Sequence, residues 1–149
     1  MISLKLSDLN SRKTSIDDCL LMDLPRIYSR AGNITPIENF IDLPFSIKRV
    51  FYVYDIPGGE ARGGHAHKEL NQLIIAASGS FDVLIDDGTK KKIINLNRPY
   101  LGIHLIPGIW SELINFSSGS ISLVLASELY YEKDYIRNYK LFLEYKGLK

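Results

Sequence analysis

Between Gly59 and Gly79 the chain reads GEARGGHAHKELNQLIIAASG. Two histidines stand one residue apart, with glycines and cationic groups beside them and an apolar run behind. Imidazole gains and loses a proton near neutral pH and is also a common metal ligand. His65 and His67 could therefore open a metal site or handle a proton. Strand geometry sends both side chains to one face, and Gly63, Gly64 and Ala66 keep that neighbourhood uncrowded. In a closed β-structure one face looks inward, so both imidazoles can share a cavity. A catalytic metal site usually takes three convergent protein ligands. His104 precedes the Pro107-Gly108 turn and no histidine follows it; Glu112 is the available third ligand. A site of two His and one Glu thus stays open, beside the expectation of no metal.

Such a pair needs a rigid frame. Turn signals recur at short intervals, among them Pro57-Gly58-Gly59, Ser78-Gly79, Asp86-Asp87-Gly88, Asn97-Arg98-Pro99, Pro107-Gly108 and Ser117-Ser118-Gly119. Between them, residues 47–55, 72–77, 80–85, 91–96, 100–106, 112–116 and 120–126 are rich in Ile, Val, Leu, Phe and Tyr and are predicted as strands. Asp86-Asp87-Gly88 marks a hairpin, because Asp-Gly supplies the positive φ of a tight turn. Many short strands with regular turns predict an all-β sandwich or barrel rather than βαβ units. Only the tail YYEKDYIRNYKLFLEYK reads helical: Tyr135, Tyr139, Phe142 and Leu143 share a spacing, and Asp134 is placed to cap the start. Ser7 to Asp18 is polar and turn-like, a loose arm or a segment that pairs with another subunit.

The chain has 149 residues, 46% of them hydrophobic and 23% charged, which is ordinary for one soluble domain. Its net charge is +1 and its Lys and Arg are scattered, so neither composition nor pattern points to nucleic acid. The one cysteine, Cys19, cannot form an internal disulfide; Cys19-Leu20-Leu21-Met22 reads as a buried apolar segment holding a reduced thiol. There is no signal-like N-terminus and no apolar run of membrane-spanning length, so a cytoplasmic protein without a membrane partner is expected.

The spacing Gly59, His65-Ala66-His67, Gln72, Gly79 resembles the first motif of the cupins, small antiparallel β-barrels of the jelly-roll type. Metal-binding cupins place Glu where Gln72 stands and add a His after a Pro-x-Gly-type turn. Here the carboxylate is an amide and that His is missing. The chain more closely resembles the sugar-nucleotide 3,4-ketoisomerases, metal-free cupins acting on dTDP-4-keto-6-deoxyglucose. Residues 45–88, the Arg-Gly-x-His-Ala-His-Lys core, the segments LIPGIW and GNITPIE, and the tail Tyr-x-x-x-Asp-Tyr-Ile-Arg carry the likeness. It implies a single cupin domain over 1–149 with a short C-terminal helix and an N-terminal arm over 1–18. It also implies an isomerase with no cofactor, and a homodimer with exchanged N-terminal strands. The product would feed an aminotransferase making a 3-amino-3,6-dideoxysugar for surface glycans. A dTDP-sugar 3,5-epimerase and a non-catalytic sugar or nucleotide sensor are the alternatives.

The implied reaction moves a ketone from C4 to C3. The C3 proton lies beside the carbonyl and is acidic; a base removes it, an enediol or enediolate forms, and reprotonation at C4 completes the exchange. One carbon is oxidised while its neighbour is reduced, so no redox cofactor is needed. His67 is the preferred base and His65 its orienting or electrophilic partner, with the reverse order open. The other histidine, Tyr52, Tyr54 and Lys68 are candidate donors to the developing oxyanion, and a protonated His or a tyrosine could return the proton. Gln72 is expected to point inward with the pair. Lys68 falls on the opposite parity and reaches the site only if the strand bends or ends there. Arg49 and Arg62 are the choices for the diphosphate, Arg30 and Arg137 weaker ones. Trp110 or a tyrosine could stack on the nucleobase.

Overall fold

The computed structural model describes residues 9–148. Ten strands, all in antiparallel pairs, form two five-stranded sheets. In chain order they are β1 (Leu20–Asp23), β2 (Arg49–Val53), β3 (Arg62–His67), β4 (Gln72–Ser78), β5 (Phe81–Asp86), β6 (Lys91–Leu96), β7 (Leu101–Leu105), β8 (Trp110–Ile114), β9 (Ile121–Ala126) and β10 (Tyr135–Ile136). One sheet has the order β1-β7-β4-β9-β2 and the other β10-β3-β8-β5-β6. Among the described residues one α-helix, α1 (Tyr139–Tyr145), follows β10. Among the described residues no helix is long and apolar enough to cross a membrane.

Period-2 alternation fills the space between the sheets. Phe81, Val83 and Ile85 of β5 meet Ile74, Ala76, Ile103, Leu105 and Val124 in one core cluster. The central strand β4 is buried on both faces. Ile74 and Ala76 enter that core, while Leu73 and Ile75 face outward beneath Leu24, Leu43 and Phe45 of the long β1–β2 connection. This double cover explains why LIIA, residues 73–76, is continuously apolar. Each such side chain, once removed from water, stabilises the fold by about 1.5–3 kcal/mol. A third cluster seats α1 on the outside of the second sheet, where Phe142 packs on Ala66, Trp110 and Ile136.

The hairpin expected at Asp86-Asp87-Gly88 joins β5 to β6, with Gly88 at φ +94°. Burial of Asp87 works against its charge. The N–H groups of Ile16, Lys90 and Thr89 and the Thr89 hydroxyl outweigh that burial and hold its carboxyl far below the usual carboxylate range.

Three readings need correction. Cys19 is buried, but Leu20 and Leu21 beside it are 61% and 54% exposed: they point to opposite faces of β1, an edge strand covered fully on neither face at this point. The described part of the arm, residues 9–18, is docked on its own chain: Thr14 and Ile16 are buried, and the Thr14 hydroxyl donates to the Pro107 carbonyl at 2.8 Å. Residues 1–8 of the expected arm lie outside the described residues. Finally, Tyr135 belongs to β10 and the helix begins later, capped by Asn138, whose side chain accepts the Leu141 N–H at 3.0 Å. Asp134 is engaged elsewhere.

Candidate active site

β3 brings the two histidines to the site through a bulge. Gly63 and Gly64 sit at φ +89° and +77°, and the pairing of β3 with β8 shifts register between Gly63 and His65. A Cβ on Gly63 would stand 2.9 Å from the Ser111 carbonyl oxygen, so the bulge needs glycine there in contact as well as in conformation. Beyond it, the His65 and His67 rings lie 5.0 Å apart, edge to face. The preceding strand places Phe51 and Val53 on the same cavity, of about 100 Å³, which Arg62, His65, Gln72 and Ser111 also line.

The cover comes from the chain's last quarter. Tyr135 pairs with His67 across β10 and β3 and sets its ring 4.3 Å from His67 and 4.9 Å from His65. Tyr130 follows at 5.6 Å from Tyr135, and the Arg137 guanidinium lies 4.1 Å from the Tyr135 ring. Asp134, just before Tyr135, reaches His67: its carboxylate is 2.9 Å from Nδ1, and its other oxygen accepts the Glu69 N–H at 2.8 Å. Burial opposes the charge on Asp134. The His67 bond and the N–H groups of Glu69 and Leu70 prevail, so its carboxyl is held below the ordinary value. His67 is 4% exposed. Among the described residues its buried Nε2 has no partner, nor has Nδ1 of His65. Buried polar atoms are rarely left so in folded proteins, and such orphans cluster where a ligand completes them. Burial, then the proximity of His67 and Arg137, lowers His65 to a pKa of about 4, so it is neutral at neutral pH.

The predicted residues divide. His65, Gln72 and Arg62 share the cavity, with Gln72 only 5% exposed. Gln72 reaches it from β4, in the sheet opposite to that of β3. Arg49 turns inward with Phe51: its guanidinium lies 5.0 Å from the Phe51 ring and 5.5 Å from that of Tyr130, with Nε buried and unpartnered. Tyr52 and Tyr54 are 60% and 59% exposed and rest on each other at 5.6 Å. They take the outward parity of β2, because Arg49, Phe51 and Val53 take the inward one. Lys68 is exposed and borders an outer cleft with Arg12 and Arg137. Arg137 itself is paired with Glu132 at 2.7 Å. Glu112 accepts from the Trp110 indole at 3.3 Å, on the parity opposite to the cavity-lining Ser111. The donor set therefore does not converge, and among the described residues no three His, Cys, Asp or Glu side chains are placed to hold a metal ion. His104 lies outside the site, its Nε2 3.0 Å from the Asn71 side-chain oxygen and its ring on Phe45.

Asp134, Tyr135 and Tyr130 were not among the expected site residues. Their signal was the spacing Tyr-x-x-x-Asp-Tyr-Ile-Arg, which reads locally as the start of a helix and acquires its role only across the 67 residues that separate Asp134 from His67.

The fold is that of a cupin-like β-sandwich, and the relatives that follow make the chain an isomerase. Residues 17–147 match the family described as FdtA: WxcM-like, C-terminal, and the chain belongs to that family. It is 42% identical over 125 residues to a TDP-4-oxo-6-deoxy-alpha-D-glucose-3,4-oxoisomerase of Aneurinibacillus thermoaerophilus, a match covering 84% of this chain and 90% of the relative. Among solved structures it is similar to QdtA, a sugar 3,4-ketoisomerase from Thermoanaerobacterium thermosaccharolyticum in complex with TDP. That match has 39% identity and a TM-score of 0.87, over 89% of this chain and 97% of the other. A His-to-Asn variant of the same enzyme, in complex with TDP-4-keto-6-deoxyglucose, matches with 40% identity and a TM-score of 0.84, over 85% and 92% of the two chains.

Proposed function

We infer that the protein is a sugar-nucleotide 3,4-ketoisomerase that converts dTDP-4-keto-6-deoxyglucose to the 3-keto isomer. The observation that carries this reading is the pair of closely set imidazoles with unpartnered buried nitrogens, in a family whose relatives act as 3,4-ketoisomerases. Two imidazoles 5.0 Å apart can serve a substrate's adjacent carbons. One accepts the C3 proton, and the other donates to the C4 oxygen as charge gathers there in the enediolate. The C3 hydroxyl gives up its proton while O4 takes one, and delivery of a proton to C4 leaves the ketone at C3, with carbon oxidation balanced by carbon reduction. Tyr135, touching both rings, takes the place expected of Tyr52 as the tyrosine beside the pair. Arg49 and Arg62 are the proposed diphosphate contacts and Gln72 a partner to a sugar hydroxyl.

Incubation with dTDP-4-keto-6-deoxyglucose in D₂O, followed by NMR, tests the reading. Deuterium at C4 with a new C3 ketone is expected; label at C3 and C5 with inverted centres makes the protein an epimerase instead. His65→Asn and His67→Asn should each lower turnover by about 10²–10⁴-fold with the fold retained. Undiminished activity in either variant removes that residue from the chemistry.

The proposal extends to assembly and placement. A homodimer is supported by the apolar outward face of the edge strand, where Val50 and Tyr52 are 54% and 60% exposed. Exchange of N-terminal strands between the two copies is part of the same proposal. The product's C3 ketone suits a transaminase that installs a 3-amino group for surface glycans, in the cytoplasm.

A further inference from the structure

We propose that Phe51, Ile74, Leu113 and Val124 form a subsite for the C6 methyl group, so that the cavity itself selects a 6-deoxysugar over one bearing a 6-hydroxymethyl group. The inference rests on the ketoisomerase reading and concerns a part of the sugar that does not react.

Strand register lays out the cavity in levels. Across β2, β9 and β4, Arg49, Ala126 and Gln72 stand abreast, and Phe51, Val124 and Ile74 stand abreast in the next inward-facing row. In the facing sheet Ser111 is the partner of His65, and Leu113, two residues along β8, is the partner of Arg62. The short connections 68–71 and 106–109 keep Gln72 at the same end as His65 and Ser111. Val53 and the exposed Arg62, joined by the 54–61 loop, form the other end, and the same two residues line a groove on the outer surface. The apolar row lies between these ends, with Leu113 added from the facing sheet.

A nucleotide sugar carries its diphosphate on C1. With that anion at the open, cationic Arg62 end, C3 and C4 point inward to His65, Gln72 and Ser111. C5 and its substituent then fall at the level of the apolar row. Ile74, Leu113 and Val124 are 3%, 8% and 3% exposed and belong to the core between the sheets, so packing holds them in place and none has a side-chain hydrogen bond to offer. Gly63 also lines the cavity, and its main chain is the polar surface left for the C2 hydroxyl. A methyl group suits the apolar row, whereas a hydroxymethyl group buries an oxygen there without a side-chain partner. The cavity of about 100 Å³, once filled by the sugar, leaves little space for a water to serve that oxygen. An apolar pocket rejects an added hydroxyl by about 100-fold at most, which bounds the effect.

Binding of two stable ligands, dTDP-6-deoxyglucose and dTDP-glucose, tests the subsite without turnover, because they differ only by the oxygen on C6. Calorimetric titration of the unmodified protein should show dTDP-glucose bound about 10–100-fold more weakly. Equal affinities, or no binding of dTDP-6-deoxyglucose, overturn the proposal without any variant. Val124→Thr exchanges a methyl for a hydroxyl at nearly constant volume, and Leu113→Ala opens space for a water. Each should narrow the ratio to less than about 3-fold. Folded variants that both keep the parental ratio sink the idea. Turnover of the ketosugar separates the two readings. A protein that discriminates between the ligands yet fails to isomerise keeps the subsite and loses the function assignment. One that isomerises and binds both ligands alike loses only the subsite.

Discussion

His65 and His104 are both buried imidazoles, and both are lowered to a pKa of about 4: His65 by burial and then by His67 and Arg137, His104 by burial. The unfolded chain titrates them near 6.5. Stability from keeping them neutral is therefore complete above pH 6.5 and is lost as pH falls toward 4, where the unfolded state takes protons the folded state refuses. For His104 the difference amounts to roughly 3 kcal/mol. The depressed carboxylates Asp87 and Asp134 act in a lower window, beginning below their ordinary 3.8. Urea unfolding followed from pH 7 to 4.5 should show a steep loss of stability, and His104→Asn should make it shallower; a variant with the parental slope would remove His104 as a cause. At this scale the sequence was informative in part. The His-x-His spacing announces a shared face. The alternation of Tyr52 and Tyr54 announces one too, but parity alone does not say which face meets the cavity. Only the packing of Phe51 and Val53 decides that.

The elements meet at Lys146, one residue past α1. Its ammonium donates to the carbonyls of Ser11, Thr14 and Gly108 at 3.1, 2.7 and 3.0 Å, and burial lowers its pKa. Gly108 in turn donates to the His67 carbonyl. The N-terminal arm, the β7–β8 turn, the helix end and the active-site strand are thus tied through one cation. Gly108 sits at φ +81°, and a side chain there would collide with the Ser11 carbonyl and the Thr14 hydroxyl. Lys146→Met should destabilise the protein by about 1–3 kcal/mol through the stranded carbonyls and raise hydrogen exchange across residues 10–16. Unchanged exchange in the arm would contradict the tether. Seven of the ten strands were legible from composition and turns, because their alternation and their Gly, Asp and Pro boundaries are local. β1, β3 and β10 were not among them: β1 has four residues, β10 two, and β3, read only from the His-x-His spacing, opens in a glycine bulge. Each exists because a neighbouring strand offers it hydrogen bonds. The helix start was misplaced because Asp134, a sound cap by propensity, bonds better to a residue the local sequence does not contain.

Among the described residues the first sheet has two unpaired edges, β1 and β2, carrying Leu20, Leu21, Val50 and Tyr52 in the open. Exposed edges with apolar side chains favour association. Val50→Lys combined with Tyr52→Glu should convert the proposed homodimer to monomer, as sedimentation equilibrium would register. A dimer that survives both changes uses another surface. Cupin-like architecture was readable because it depends on a spread-out pattern of strands and turns. The site was readable only in its first half, because the second half arrives from residues 130–137 through contacts that no local pattern records.

Trp110 is the only tryptophan of the chain. It packs against Tyr139 and Phe142 on one side of β8, while its neighbour Ser111 lines the cavity on the other. Its fluorescence is therefore an intrinsic optical gauge, free of background from any second indole. The emission reports whether the helix is seated on the back of the strand whose front meets the sugar.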